Sequence, residues 1–110
     1  DRPSKPKNLV VKLLDVGECE LTWEESEDDG GSPITGYCIE KYEDRRAASW
    51  DEACVMGSED RKTVVNKLID GAKYRFRVCA ENKYGRSEPC EYPEAILIKS
   101  PFGMICFFDF

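Results

Sequence analysis

The strongest constraint on the fold of this chain is a two-residue alternation of apolar and polar side chains, broken by turn signals about every 8 to 12 residues. Cys19, Leu21 and Trp23 alternate with Glu18, Glu20, Thr22 and Glu24. Further on, Tyr74, Phe76, Val78 and Ala80 alternate with Arg75, Arg77, Cys79 and Glu81. Successive side chains of a strand point to opposite faces, so each run gives one face to a core and the other to solvent. A helix would need apolar residues three and four apart, and no stretch supplies that period. Short strands of this kind, each covered on one face, close into a two-sheet antiparallel sandwich.

The remaining strands are read the same way. Leu9, Val11 and Leu13 share a face of a first strand, with Val10 and Leu14 blurring the pattern. A third strand runs from Ile34 to Tyr42, with Tyr37 and Ile39 on one face and Cys38, Glu40 and Tyr42 on the other. Trp50 to Val55 is a weaker strand, followed by one carrying Thr63, Val65 and Leu68, and Ala95 to Lys99 is the last. With the two strong runs, this makes seven. Glu24 to Pro33 is charged, then glycine-rich, then closed by proline, which reads as a loop. Asn82 to Ser87 is another, in which Gly85 is expected at positive φ. Pro3-Ser4-Lys5-Pro6-Lys7 lacks regular donors and reads as a linker or an edge approach.

At 110 residues the chain has room for one core. Its 22 acidic against 16 basic side chains give a net charge of -6, which argues against nucleic acid as a partner, since phosphate binding requires clustered Lys and Arg. No run approaches the roughly 20 apolar residues of a membrane span, so no membrane partner is expected. The chain has no His, which removes the commonest general base and metal ligand, and no Ser-His or Cys-His machinery can be assembled. No cofactor and no enzymatic activity are expected. The acids Glu24, Glu25, Glu27, Asp28 and Asp29 lack the ligand register and closing bidentate Glu of an EF-hand calcium loop, and read as a solvated acidic loop. Gly30-Gly31 and Gly85 lie in neither a G-x-G-x-x-G nor a Walker pattern, and turn geometry accounts for them. The six cysteines, Cys19, Cys38, Cys54, Cys79, Cys90 and Cys106, have wide irregular spacing without zinc-type pairs. They read as reduced thiols of an intracellular protein, with a disulfide framework as the alternative.

Trp23 in the second strand, Tyr37 in the third, and Leu68 six residues before Tyr74 resemble the hallmark core positions of fibronectin type III domains, an immunoglobulin-like β-sandwich of seven antiparallel strands. The resemblance runs from about Pro3 to Phe102 and implies that Tyr74 is a tyrosine corner, its hydroxyl bonded to backbone near the preceding turn. It is sharpened by Asp28-Asp29-Gly30-Gly31-Ser32-Pro33-Ile34-Thr35-Gly36-Tyr37 and by Phe76 to Pro89, both similar to the modules of the giant muscle proteins titin, twitchin and projectin. The Ile98-Lys99-Ser100-Pro101-Phe102 exit is similar to the boundary of such modules. Residues 1-102 are therefore expected to form the domain, and 103-110 an apolar tail or linker. The chain lacks the Arg-Gly-Asp order of integrin-binding type III loops and the paired Trp-Ser-x-Trp-Ser signature of cytokine receptors.

Within that fold the third and sixth strands are neighbours, so Cys38 and Cys79 share the outer face of one sheet, where a bridge is conceivable and free thiols are the plainer reading. Glu40, Tyr42, Arg75 and Arg77 occupy the same face. Pairing of Glu40 with an Arg is a structural reading of them. A partner-binding face is the functional one, because Tyr and Arg are favoured at interface hot spots. What the resemblance implies is a monomeric, non-catalytic structural and docking module in the sarcomeric A band. Neighbouring immunoglobulin or fibronectin type III domains and myosin of the thick filament are its expected partners, and a kinase domain accompanies some relatives. An extracellular adhesion or receptor module is the alternative.

Overall fold

A computed structural model describes residues 1–14, 17–45 and 48–99, and these form strands without a helix. In chain order the strands are β1 (Lys7–Leu13), β2 (Cys19–Glu24), β3 (Gly36–Glu43), β4 (Trp50–Gly57), β5 (Lys62–Val65) and β6 (Lys73–Asn82), followed by three two-residue pieces, β7 (Gly85–Arg86), β8 (Cys90–Glu91) and β9 (Ile96–Leu97). One sheet has the order β1-β2-β5. In the other, β4, β3 and β6 lie side by side, and β7, β8 and β9 all pair with β6. Every pairing is antiparallel. The seven-strand expectation holds once β7, β8 and β9 are counted as one interrupted final strand.

The alternation places the core. Leu9 and Val11 from β1, Cys19, Leu21 and Trp23 from β2, Tyr37 and Ile39 from β3, and Tyr74, Phe76, Val78 and Ala80 from β6 are buried in one cluster between the sheets. Trp23 meets Tyr37 with ring centroids 5.7 Å apart at 56°, and Tyr74 stacks near Phe76 at 6.3 Å. Val10, which blurred the first strand, points outward and is exposed. It does so by plain alternation with the buried Leu9 and Val11, and the irregularity of β1 lies before it, between Lys7 and Val10, where Asn8 adopts a φ of 53°.

Four details depart from the sequence reading. Leu68 lies beyond the end of β5, in a loop whose Leu68 N–H donates to the Gly17 carbonyl at 3.1 Å, and its side chain is buried. The strand starting at Trp50 extends two residues past Val55, because Gly57 still pairs with Gly36. The third strand begins at Gly36 rather than Ile34. The final strand is confined to Ile96–Leu97, although Ile98 remains fully buried and its N–H reaches the Ala72 carbonyl at 2.8 Å. Pro101-Phe102, Cys106 and the tail 103-110 lie outside the described residues.

Gly85 has a φ of 136°, as its turn requires. Beside it, buried Asn82 ties the pole together: its amide donates to the Asp1 carbonyl at 2.9 Å and the Asp29 carbonyl at 2.7 Å, while its Oδ1 accepts from the Tyr84 N–H at 2.8 Å. The N-terminal segment, the β2–β3 loop and the β6–β7 turn thus share one end of the sandwich. Ser87 fastens the last of these, since the Ala80 N–H donates to its Oγ at 2.9 Å and the Ser87 N–H donates to the Ala80 carbonyl at 2.8 Å.

Candidate functional site on the outer sheet face

Tyr37 and Ile39 take the inner face of β3, so Cys38, Glu40 and Tyr42 take the outer one. By the same alternation β6 sends Arg75, Arg77, Cys79 and Glu81 outward. Register then decides who meets whom: Glu40 stands opposite Arg77, Tyr42 opposite Arg75, and Cys38 opposite Cys79. A break in register between Ile39 and Glu40 brings Tyr42 against Trp50 of β4. The bulge explains why simple alternation along the Trp50 strand did not reveal that contact.

The result is a continuous ladder across the sheet. Arg77 Nε donates to Glu40 Oε1 at 2.6 Å, and the Arg77 guanidinium lies 4.2 Å from the centre of the Trp50 ring. Trp50 in turn meets Tyr42 with centroids 5.4 Å apart at 49°. On the opposite side Arg86 lies 3.6 Å from Glu40 Oε2 and donates to Glu81 at 2.7 Å, and the hydrogen bond to Glu81 raises the Arg86 pKa. Glu40 is mostly covered, its side chain retaining 13% of its exposure. Charge-assisted hydrogen bonds of this kind are shorter and roughly twice as strong as neutral ones, so the ladder stiffens the face. Between the two Arg residues that composition offered as partners for Glu40, the structure selects Arg77. Arg75 instead borders an open depression with Tyr42, Asp44, Trp50 and Glu91.

Cys38 and Cys79 do share this face, but they are buried rather than displayed. Cys38 Sγ donates to Glu52 Oε1 at 3.8 Å, and the charges of Arg86 and Glu40 act on both thiols. Burial pushes Cys38 up to about 12 and Cys79 up to about 11, so both are protonated and unreactive at neutral pH. Cys19, inside the sandwich, is likewise raised to about 11 by burial. The five described cysteines are free thiols.

The four core positions from the sequence fall where they cross-brace the sandwich. Trp23, Tyr37, Leu68 and Tyr74 are all buried. The Tyr74 hydroxyl accepts a hydrogen bond from the Ile69 N–H at 3.1 Å, the geometry of a tyrosine corner. Sequence reasoning missed Trp50 and Arg86 as members of the outer face. The Trp50 contact depends on the bulge, and Arg86 sits in what reads as a turn. Among the described residues no group of three or more Cys, Asp or Glu side chains is arranged to hold a metal. No described helix is long and apolar enough to cross a membrane.

The sandwich topology, the tyrosine corner and the paired-loop pole define a class, and comparison agrees: the fibronectin type III family model matches residues 4–95. This chain belongs to the fibronectin type III family. Among curated proteins it is 33% identical over 100 residues to a titin homolog of Caenorhabditis elegans and 39% identical over 90 residues to slow-type myosin-binding protein C of Homo sapiens. These alignments cover 91% and 80% of the chain. It is also 40% identical over 103 residues to the neuronal cell adhesion molecule of Rattus norvegicus. The chain spans no more than 8% of any of these relatives. In structure it is similar to the twitchin kinase region of C. elegans, with a TM-score of 0.80, 35% identity, and coverage of 89% of this chain and 17% of that one. Modules of this sequence type thus occur in titin-like and other muscle proteins and also in a neuronal cell adhesion molecule.

Proposed function

We propose that this chain is a non-catalytic structural and protein-interaction module of an intracellular titin-like muscle protein. It spaces its neighbours along the thick filament in the A band and docks on myosin through the outer face of the β4-β3-β6 sheet. The observation that carries this reading is the ladder of Tyr42, Trp50, Arg77, Glu40 and Arg86, a rigid mixed aromatic and charged surface beside the Arg75 depression. Aromatic and Arg side chains held in fixed rotamers lose little entropy on binding and are favoured as interface anchors. Similarity to muscle relatives, one of them a myosin-binding protein, favours myosin as the occupant. Immunoglobulin or fibronectin type III neighbours follow from the same similarity, and a place beside a kinase domain from likeness to the twitchin kinase region. Pull-down of myosin from muscle extract by the chain, and its loss in the Arg75→Glu/Arg77→Glu variant, tests the docking role. Equal capture by both removes the outer face from the proposal.

A second reading, an extracellular adhesion module, is favoured by similarity to the neuronal cell adhesion molecule. Thiol titration of the native, unreduced protein after denaturation separates the two. Six free thiols from the chain's 6 cysteines support the intracellular reading, and none supports three bridges and the extracellular one.

A further inference from the structure

A surface cleft lies away from the outer face, at the pole formed by the β2–β3 loop and the β4–β5 turn. Its lining includes Glu25, Glu27, Asp28, Asp29 and Glu59, against which Arg61 is the one basic lining residue. Acidic loops are ordinarily solvated, and this one would be unremarkable without its floor. The floor is Tyr37, a fully buried residue whose hydroxyl reaches no hydrogen-bond partner among the described residues. Beside it the Ser26 hydroxyl is also buried and unpartnered. A buried hydroxyl without a partner is costly, and such groups call for an explanation in a native fold.

The cleft already accommodates one guanidinium. Arg61 lies with its guanidinium carbon 5.1 Å from the centre of the Tyr37 ring and pairs with Glu25 at 3.1 Å. Two carbonyls, of Ser58 at 2.7 Å and Asp60 at 2.8 Å, hold it there. Other acids are engaged in different ways: Glu27 meets Lys7 at 3.4 Å, and Asp28 and Asp29 accept from the Gly30 and Gly31 N–H groups. Glu59 has no ion-pair partner among the described residues; burial raises the Tyr37 hydroxyl pKa, the Arg61 charge opposes this, and the charges of Glu25 and Glu59 add to it. The acids are spread around the rim, and no three of them converge as a metal would require. What fits is a single delocalised cation carrying several donors.

We infer that this pole cleft seats an arginine side chain from a basic segment of a partner protein, its guanidinium donating to Glu59 and to the Tyr37 and Ser26 hydroxyls. Guanidinium is weakly hydrated, presents five donors, and stacks on aromatic rings, as Arg61 already does here. The seat is separate from the outer sheet face, and either can fail without the other.

The test is an amide chemical-shift titration of the 110-residue chain with the capped pentapeptide Gly-Gly-Arg-Gly-Gly. The expected result is a set of shifts centred on Ser26, Tyr37, Ser58 and Glu59, with affinity weakened at least fivefold by Glu59→Gln and by Tyr37→Phe. An unchanged spectrum elsewhere certifies that each variant is folded. The capped peptide with Gln in place of Arg is expected to leave the cleft unperturbed. Equal shifts from the Gln peptide, no shifts from the Arg peptide, or the same cleft shifts produced by calcium chloride alone would each overturn the inference.

Discussion

At the scale of single residues, one hydroxyl and a set of thiols carry consequences that differ in kind. Tyr74 both fills the core with its ring and satisfies the Ile69 N–H with its hydroxyl. Tyr74→Phe keeps the ring and orphans that donor, so the expected loss is about 1 to 3 kcal/mol. It is read as a lowered urea midpoint at unchanged denaturant slope. Cys38, Cys79 and Cys19 have pKa values raised above the ordinary 9.0 by burial. A thiol whose folded pKa is raised holds its proton longer in the native state than in the unfolded one. Its contribution to stability is therefore whole below pH 9, falls as the unfolded thiol ionises, and is lost by about pH 12 for Cys38. The urea midpoint is expected to decline between pH 9 and 11, and to decline less steeply in a Cys38→Val/Cys79→Val variant. A decline of equal steepness in both proteins contradicts the assignment.

At the scale of strands, the ladder on the outer face is where register becomes energy. Glu40 and Arg77 are directly opposite, mostly covered and hydrogen-bonded, so a double-mutant cycle with Glu40→Gln and Arg77→Met is expected to give a coupling of about 1 kcal/mol. The same cycle for Lys7 and Glu27, an exposed pair at 3.4 Å, is expected to give a smaller coupling that salt abolishes.

Strands β2, β3 and β6 were legible in sequence because each has one dry and one wet face, and a period of two then fixes both strand and orientation. Trp50 was not legible as an outer-face residue, since a bulge between Ile39 and Glu40 shifts the phase that alternation assumes. The interrupted last strand was not legible either. Its three pieces gain their pairing from β6 rather than from any pattern of their own. Alternation also assigned Cys38 and Cys79 to the right face while saying nothing of what covers them. Both thiols are buried there, with Glu52 accepting from Cys38, and only tertiary structure shows it. The polar cleft was passed over for a related reason: the acids of the β2–β3 loop look solvated in sequence, and the Tyr37 hydroxyl beneath them is placed by β3.

For the molecule as a whole, the proposed myosin face and the proposed arginine seat fall on different surfaces. The pole at Asn82 gathers the N-terminal segment and two loops, and it meets the outer face of the β4-β3-β6 sheet at Arg86. On the proposed reading, neighbours engage end to end and this broad face is the one left for a filament. Arg75 is the most direct probe of that face, because it borders the depression beside Tyr42 and Trp50 while the Glu40–Arg77 ion pair remains intact without it. The decisive measurement is cosedimentation of the chain with purified myosin filaments, comparing the native sequence with Arg75→Glu. The account predicts that the native chain pellets with the filaments and that Arg75→Glu, folded to the same urea midpoint, remains largely in the supernatant. A native chain that stays in solution, or a variant that pellets equally well, would contradict it.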